Sequence, residues 1–257
     1  MSALRPRPIH HLSDPARFDR VVERYESVRR LEGRLLDPET VRRLPEVDAK
    51  EPHAGEWRTR ADSMARLERW MERAGCRGPV LDVGCGPGWM TARLARRFEA
   101  ALGVDVVPSE LERGAEAFAD VMGLEFAVAD IFEDEIPSGP FGLVLAASSA
   151  QYFPSLRGLV ERLLALVRDD GWVVVMDTPL YRREEIPAAA ERTRDYYRQL
   201  GVSGAEGAYH HHCLDEVRDL APEVLYDPRG PVHRLARWLG SVRSPFPMVG
   251  FRRSRAS

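Results

Sequence analysis

Lysine is almost missing from this 257-residue chain: of 37 basic residues only Lys50 is a lysine, which leaves Schiff-base chemistry a single candidate nucleophile. Cysteine is scarce as well. Cys76, Cys85 and Cys213 form no Cys-x-x-Cys pair, so neither a zinc ribbon nor a disulfide framework is expected. No stretch approaches the ~20 apolar residues of a membrane span, and residues 1–8 lack the apolar core of about 7–15 residues that a secretory leader carries. The expectation is a cytoplasmic protein without a membrane partner. A surplus of positive charge is lacking too. The net charge of −3 gives no electrostatic footprint for a phosphate backbone, so nucleic acid is not an expected partner. Neither a solenoid repeat nor a low-complexity block interrupts the chain.

What the chain has is a regular alternation of short apolar runs and helical periodicity. At this length it can bury a full core, and the alternation predicts an α/β fold, doubly wound, with a mostly parallel sheet covered by helices on both faces. Its richest stretch is Val80-Leu81-Asp82-Val83-Gly84-Cys85-Gly86-Pro87-Gly88, an apolar strand that runs into three glycines spaced two apart. Glycines in that pattern let a backbone turn tightly beneath a ligand with no Cβ in the way. A helix over Met90 to Arg97 follows. The spacing separates nucleotide classes. A dinucleotide fingerprint begun at Gly84 needs a glycine where this chain has Trp89, and Gly88 arrives one residue early, which argues against a nicotinamide oxidoreductase. No Gly-Lys-Ser/Thr follows, so a phosphate-cradling loop fits worse still.

Later strands repeat the ending in an acid. Ala101 to Val106 carries Asp105 roughly 20 residues beyond the turn, where a carboxylate accepts hydrogen bonds from ribose hydroxyls. Glu125 to Ile131 carries Asp130. A fourth strand, Phe141 to Ala147, empties into Ser148-Ser149-Ala150-Gln151-Tyr152-Phe153, and a fifth spans Gly171 to Asp177. Between them a helix over Leu156 to Val167 closes on an Asp169-Asp170-Gly171 turn. Each acid alone also reads as a helix cap or turn former; in series they line the strand ends where open parallel sheets bind ligands.

Asp82-x-Gly84-x-Gly86-x-Gly88 resembles motif I of the class I S-adenosylmethionine-dependent methyltransferases of small-molecule type, and the likeness extends over residues 79–178. The resemblance implies a seven-stranded, Rossmann-like sheet ending in an antiparallel hairpin, here Glu223 to Asp227 and Met248 to Arg252 with a helix over Val232 to Leu239 between them. It implies S-adenosyl-L-methionine as cofactor, and in-line methyl transfer to an oxygen, nitrogen or carbon of a small molecule. The cofactor residues it implies are Asp82, Gly84, Cys85, Gly86 and Gly88 at the turn, Asp105 on the ribose, Val106 on the adenine face, Asp130 with Ile131 at the adenine amino group, and Ser148 beside the transfer site. The Asn/Asp-Pro-Pro-Tyr signature of nucleic-acid amino-methylation is absent, since the fourth strand ends Ser148-Ser149-Ala150-Gln151. A non-catalytic cofactor-binding or protein-interaction module, and other chemistry on the same scaffold, stay open.

Residues 1–75 are expected to form a helical extension, acting as a lid and including the first core helix; residues 76–257 form the core, with a substrate-wall insertion at about 179–213. The extension reads as a helix over Pro15 to Arg34, a short one opened by Asp37-Pro38 and stopped by Pro45, a linker, and a long helix from Glu56 to Gly75. On that last helix Arg58, or Arg60, is within reach of the cofactor carboxylate, which a guanidinium matches bidentately. The insertion holds a helix over Ile186 to Leu200, a glycine-rich loop at 201–207, and then Tyr209-His210-His211-His212-Cys213. An extended strand points only His210 and His212 to one side and no zinc spacing accompanies them, so no metal is expected. Candidates for removing an acceptor proton are His210, Tyr209, Tyr181, Tyr152 and Asp177. Nothing in the sequence sets the oligomeric state.

Overall fold

The apolar run at Val80 becomes the middle of an eight-stranded sheet in the computed structural model, which describes residues 5–98, 100–202 and 204–253. Its strands are β1 (Ile9–His11), β2 (Val80–Val83), β3 (Ala101–Asp105), β4 (Leu124–Val128), β5 (Phe141–Ala147), β6 (Val167–Met176), β9 (Glu223–Tyr226) and β10 (Met248–Arg252). The remaining pair, β7 (Leu180–Tyr181) and β8 (His212–Cys213), forms a separate parallel ribbon in the insertion. Strand order in the main sheet is β1-β4-β3-β2-β5-β6-β10-β9. β10 is antiparallel to both its neighbours, and the other pairings are parallel.

The seven expected strands are all present, and an eighth joins them. β1 adds in parallel to β4, with Ile9 opposite Phe126. Three residues with two exposed histidines carry no periodicity to read; what holds them is the neighbourhood. Arg7 donates to the carbonyls of Phe118, Leu124 and Val121, and the backbone N–H groups of Leu12 and Ser13 both reach Val128 O. The last two strands form the expected antiparallel hairpin end, with β10 as the inner strand between β6 and β9. At the other end of β6 the expected Asp169-Asp170-Gly171 turn is an irregularity inside the strand: Phe141 pairs with Val167 but Leu143 pairs with Trp172. Gly171 is required there, since a Cβ would meet Gly142 O at 2.8 Å and Phe141 O at 3.0 Å.

Helices cover both faces. They are α1 (Asp19–Leu31), α2 (Pro38–Arg43), α3 (Ala54–Ala74), α4 (Trp89–Phe98), α5 (Pro108–Ala117), α6 (Leu156–Leu166), α7 (Ile186–Gln199) and α8 (Pro231–Trp238). Local chemistry sets their ends. Asp37 caps α2 through the Thr40 N–H at 2.9 Å, with Pro38 as the first helical residue, and Gly75 ends α3 at φ 64°. Alternation along the strands divides the core in two. Val80, Leu143 and Val174 face α3 to α5 with Leu67, Leu94 and Leu111, whereas Leu81, Val144 and Val173 face α6 with Leu159 and Leu163. Each of these leucines is fully buried, so truncating one to alanine costs about 2–5 kcal/mol. Among the described residues no helix is long and apolar enough to cross a membrane.

Candidate active site

The glycine turn between β2 and α4 is stitched to the next strand. The N–H groups of Gly84 and Cys85 both donate to Val104 O, at 2.9 and 3.1 Å, and the Gly88 N–H closes the loop on Cys85 O at 3.0 Å. Two glycines here serve different ends. Gly88, at φ 69°, leaves room for the Phe126 ring, which a Cβ would meet at 2.3 Å. Gly86, at φ 54°, has nothing within 4 Å of its missing Cβ and lines a cleft of about 670 Å³. Gly84 lies against the Ser149 side chain, whose hydroxyl donates to Val83 O at 2.7 Å.

The acids follow the turn. Asp82 is 2% exposed and its Oδ2 accepts the Thr91 hydroxyl at 2.6 Å. Burial pushes its carboxyl up to about 6, with the Thr91 hydrogen bond opposing. Asp105 binds the turn directly: Oδ2 accepts the Gly86 N–H at 2.8 Å and Oδ1 the Val107 N–H at 3.0 Å. Burial raises its pKa too, against those backbone donors. Each carboxylate oxygen keeps a lone pair for a further donor, and Asp105 lines the cleft. Asp130 accepts the Phe132 N–H at 3.0 Å through Oδ1. Cys85, Val106, Ile131 and Ser148 line the same cleft. Ser148, at φ 55°, donates its hydroxyl to Asp177 O at 3.2 Å. Beside it, Asp177 Oδ1 accepts the hydroxyls of Ser63 at 2.5 Å and Ser244 at 3.2 Å.

Residues of the N-terminal extension line this cleft. α1 contributes Tyr25, Val28 and Arg29, Glu32 follows at its C-terminal cap, and α3 contributes Trp57 and Arg60. Two contacts brace α1 from opposite sides: Ser109 donates to Glu26 at 2.5 Å, and the Tyr196 hydroxyl of α7 donates to Glu32. Arg60 stacks over the Trp57 ring at 4.9 Å and has no hydrogen-bond or ion-pair partner among the described residues. Burial lowers its pKa, opposed by the charge of Asp177. Arg58 is exposed and absent from the lining. Two residues along a helix rotate a side chain by ~200°, so Arg58 and Arg60 cannot share a face, and Arg60 is the one turned inward.

Of the five proton-acceptor candidates, two line the cleft, Tyr152 and Asp177. Tyr181, Tyr209 and His210 are not among its described lining residues. The reason is how the 209–213 segment docks. The His210 N–H donates to Gln151 O at 2.7 Å, which ties the segment to the Tyr152 turn. Tyr209 then meets the Tyr152 ring edge at 6.2 Å, and Tyr181 packs on His211 at 5.6 Å. The three histidines have separate partners. His210 stacks on His212, His211 reaches the Thr193 hydroxyl at 2.9 Å, and buried His212 reaches Ala150 O at 3.1 Å. Of the glycine-rich loop, Ser203 lies outside the described residues, while Ala205 and Ala208 next to it line the cleft with Tyr197. Asp177 from the fifth predicted strand lines it as well. Thr91, Ser63, Ser244 and Arg29 escaped sequence reasoning, since each meets its site residue only through the tertiary fold.

Similarity to other proteins follows this geometry. A family model described as a methyltransferase domain matches residues 80–171. The trans-aconitate 2-methyltransferase of Methylobacterium radiotolerans is 30% identical over 192 residues, 60% of this chain and 72% of that enzyme. An uncharacterized methyltransferase of Mycobacterium tuberculosis is 35% identical over 97 residues, 38% of this chain. There the chain spans about half the length of the relative it matches, 49%. The fold resembles magnesium protoporphyrin IX methyltransferase from Synechocystis, solved with bound S-adenosylhomocysteine, at a TM-score of 0.57 and 12% identity, covering 92% of this chain and 100% of that one. A doubly wound sheet with a glycine turn and acids at three successive strand ends defines a nucleotide-binding class of fold. The chain belongs to the class I S-adenosylmethionine-dependent methyltransferase family.

Proposed function

We propose that this protein binds S-adenosylmethionine in the cleft over β2, β3 and β4 and transfers its methyl group to a small-molecule acceptor. The observation that carries the reading is the bond from the Gly86 N–H to Asp105 Oδ2, which joins the open glycine turn to the acid at the end of β3 and faces both into the cleft. The cleft suits the cofactor in three further respects. Free space over Gly86 admits a ligand against the backbone. Asp105 has lone pairs for two vicinal hydroxyls. Arg60, half-buried and without a hydrogen-bond or ion-pair contact among the described residues, matches the single carboxylate that the cofactor carries.

Bound there, the cofactor supplies a methyl group already activated by a sulfonium charge. The chain's own work is then positioning and exclusion of water. In this reading Asp82 and the glycine turn hold the amino-acid end, and Asp130 and Ile131 select the adenine. α1 closes the cleft as a lid, pinned by Glu26 on one flank and Glu32 on the other. The 179–213 insertion supplies the acceptor wall through Tyr197 and Ala208. Tyr152 and Asp177 are the groups nearest to hand for a departing proton. Names among the relatives, tocopherol, trans-aconitate and malonyl-[acyl-carrier protein] methyltransferases, support an acceptor of metabolite scale rather than a nucleic acid.

The test is turnover. Incubating the protein with S-adenosyl-[methyl-³H]methionine and a small-molecule extract should yield S-adenosylhomocysteine and a labelled small product in equal amounts. Cofactor binding without any transfer would leave a binding module in place of an enzyme.

A further inference from the structure

The cofactor's carboxylate can occupy only one of the two guanidinium groups that face the cleft from its inner walls. The cofactor carries one anionic group, that carboxylate, against two cationic ones, the ammonium and the sulfonium. The two guanidinium groups, Arg60 on α3 and Arg29 on α1, are half-buried, while Arg24 stands exposed at the mouth of the cleft. If Arg60 takes the cofactor carboxylate, Arg29 faces only positive charge on that ligand.

Arg29 is built to present a cation. Its side chain is 22% exposed, and its guanidinium lies over the Tyr25 ring at 4.9 Å, which fixes its plane. Its ion pair is with Glu32, at 3.2 Å through Nη1. That carboxylate is shared: Arg34 approaches it at 3.2 Å and the Tyr196 hydroxyl donates to it. With Nη1 on that carboxylate and Tyr25 as a further hydrogen-bond partner, the five N–H groups of the Arg29 guanidinium still leave donors for a ligand. Their surroundings place them between ligand sites. Asp105 lies within electrostatic reach on the cofactor side, Tyr152 and Tyr197 on the insertion side. The adjoining walls are aromatic or aliphatic, Val28, Phe153 and Tyr197 among them. No histidine or lysine is among the described residues of the lining.

We infer that Arg29 binds a carboxylate of the methyl acceptor, so that the acceptor is a small carboxylic acid with an apolar or aromatic body. A carboxylate fits better than a phosphate. Glu32 in contact, with Asp105 and Glu110 at longer range, already offsets much of the Arg29 charge, which favours a monoanion over a dianion, and a planar carboxylate matches a guanidinium edge. The inference rests on the methyltransferase reading, because it assigns the space beside the cofactor to the acceptor.

The experiment uses the full-length protein saturated with S-adenosylhomocysteine. Binding of benzoate, cinnamate and hexanoate is measured by calorimetry, each against its uncharged primary amide and the two aromatic acids also against phenylphosphonate. The acids should bind, the amides and the phosphonate at least tenfold more weakly. Arg29→Gln should weaken the acids by about tenfold to hundredfold, the loss expected for a charged hydrogen-bond donor, and leave the amides unchanged. Arg29→Lys should restore part of the acid affinity, and both variants should keep wild-type affinity for S-adenosylhomocysteine, which also reports that they fold. Acids that bind no better than amides, acids that bind Arg29→Gln as they bind wild type, or failure of every acid to bind would overturn the assignment. Preference for the phosphonate would overturn it in favour of a phosphate ester. Absence of S-adenosylhomocysteine binding to the wild type would bring down the cofactor reading itself, and this inference with it.

Discussion

Two glycines two residues apart should separate stability from binding. At Gly88 a methyl group would sit 2.3 and 2.4 Å from the Phe126 ring. That ring has nowhere to go. It is fully buried, and Cβ positions on Gly103 and Gly114 would already lie 3.0 and 3.1 Å from it on other sides. Gly88→Ala therefore combines an overpacked core, about 1–3 kcal/mol, with a left-handed backbone at φ 69°, about 1–2 kcal/mol. The sum, about 2–5 kcal/mol, lowers the melting temperature by about 5–15 °C for a chain of this size. Gly86→Ala meets only the backbone term, about 1 kcal/mol, because its Cβ points into open space. It should melt within about 5 °C of wild type, while Gly86→Leu, which fills the space over the turn, should lose at least ~100-fold in affinity for S-adenosylhomocysteine. Thermal unfolding and calorimetry on the same preparations give both numbers. Equal melting losses at the two positions, or wild-type affinity in Gly86→Leu, would refute the division of labour.

Three other perturbations test separate parts of the site. Asp82 has a folded-state carboxyl at about 6 against an ordinary 3.8, so the folded protein holds that proton more tightly, and the stabilisation this gives is present at low pH and lost as pH rises through 6. Ionised, it costs on the order of 3 kcal/mol. The stability of Asp82→Asn relative to wild type should therefore rise by about 1–2 kcal/mol between pH 5 and pH 8 in urea unfolding, and a gap that does not change with pH would dismiss the buried charge. Arg60→Gln should weaken S-adenosylhomocysteine by about tenfold or more but spare 5′-methylthioadenosine, which has no carboxylate; equal losses would mean that Arg60 acts on something other than that group. His210→Ala should leave turnover within about twofold of wild type, since its ring is held against His212 outside the cleft lining, and a large fall in kcat would return it to the chemistry.

The parts of this protein that could be read from sequence are those in which one residue type answers one local demand. The strand at Val80, the turn at Gly84 to Gly88 and the acids at 82, 105 and 130 announce themselves because the strands are buried on both faces and the turn needs positive φ. Helix starts at Pro38 and stops at Gly75 are equally local. β1 was beyond reach, because three residues held by Arg7 and a neighbouring edge carry no pattern of their own. So was the place of β10 as the inner strand of the terminal hairpin, which depends on tertiary pairing. Within the site, helical phase decides between Arg58 and Arg60, and a sequence fixes that phase only after the buried face is known. The histidine run shows the opposite hazard. Its residues suit chemistry, yet a backbone bond from His210 to Gln151 ties them to the Tyr152 turn, outside the described cleft lining.

The most direct measurement is a calorimetric titration of the purified protein with S-adenosylmethionine, S-adenosylhomocysteine and NAD in parallel, repeated on Asp105→Ala. The account predicts micromolar binding of the first two to wild type, no heat with NAD, and a loss of about 1–3 kcal/mol in the variant, where both hydroxyl acceptors disappear. Binding of NAD alone, or an Asp105→Ala affinity equal to wild type, would contradict it.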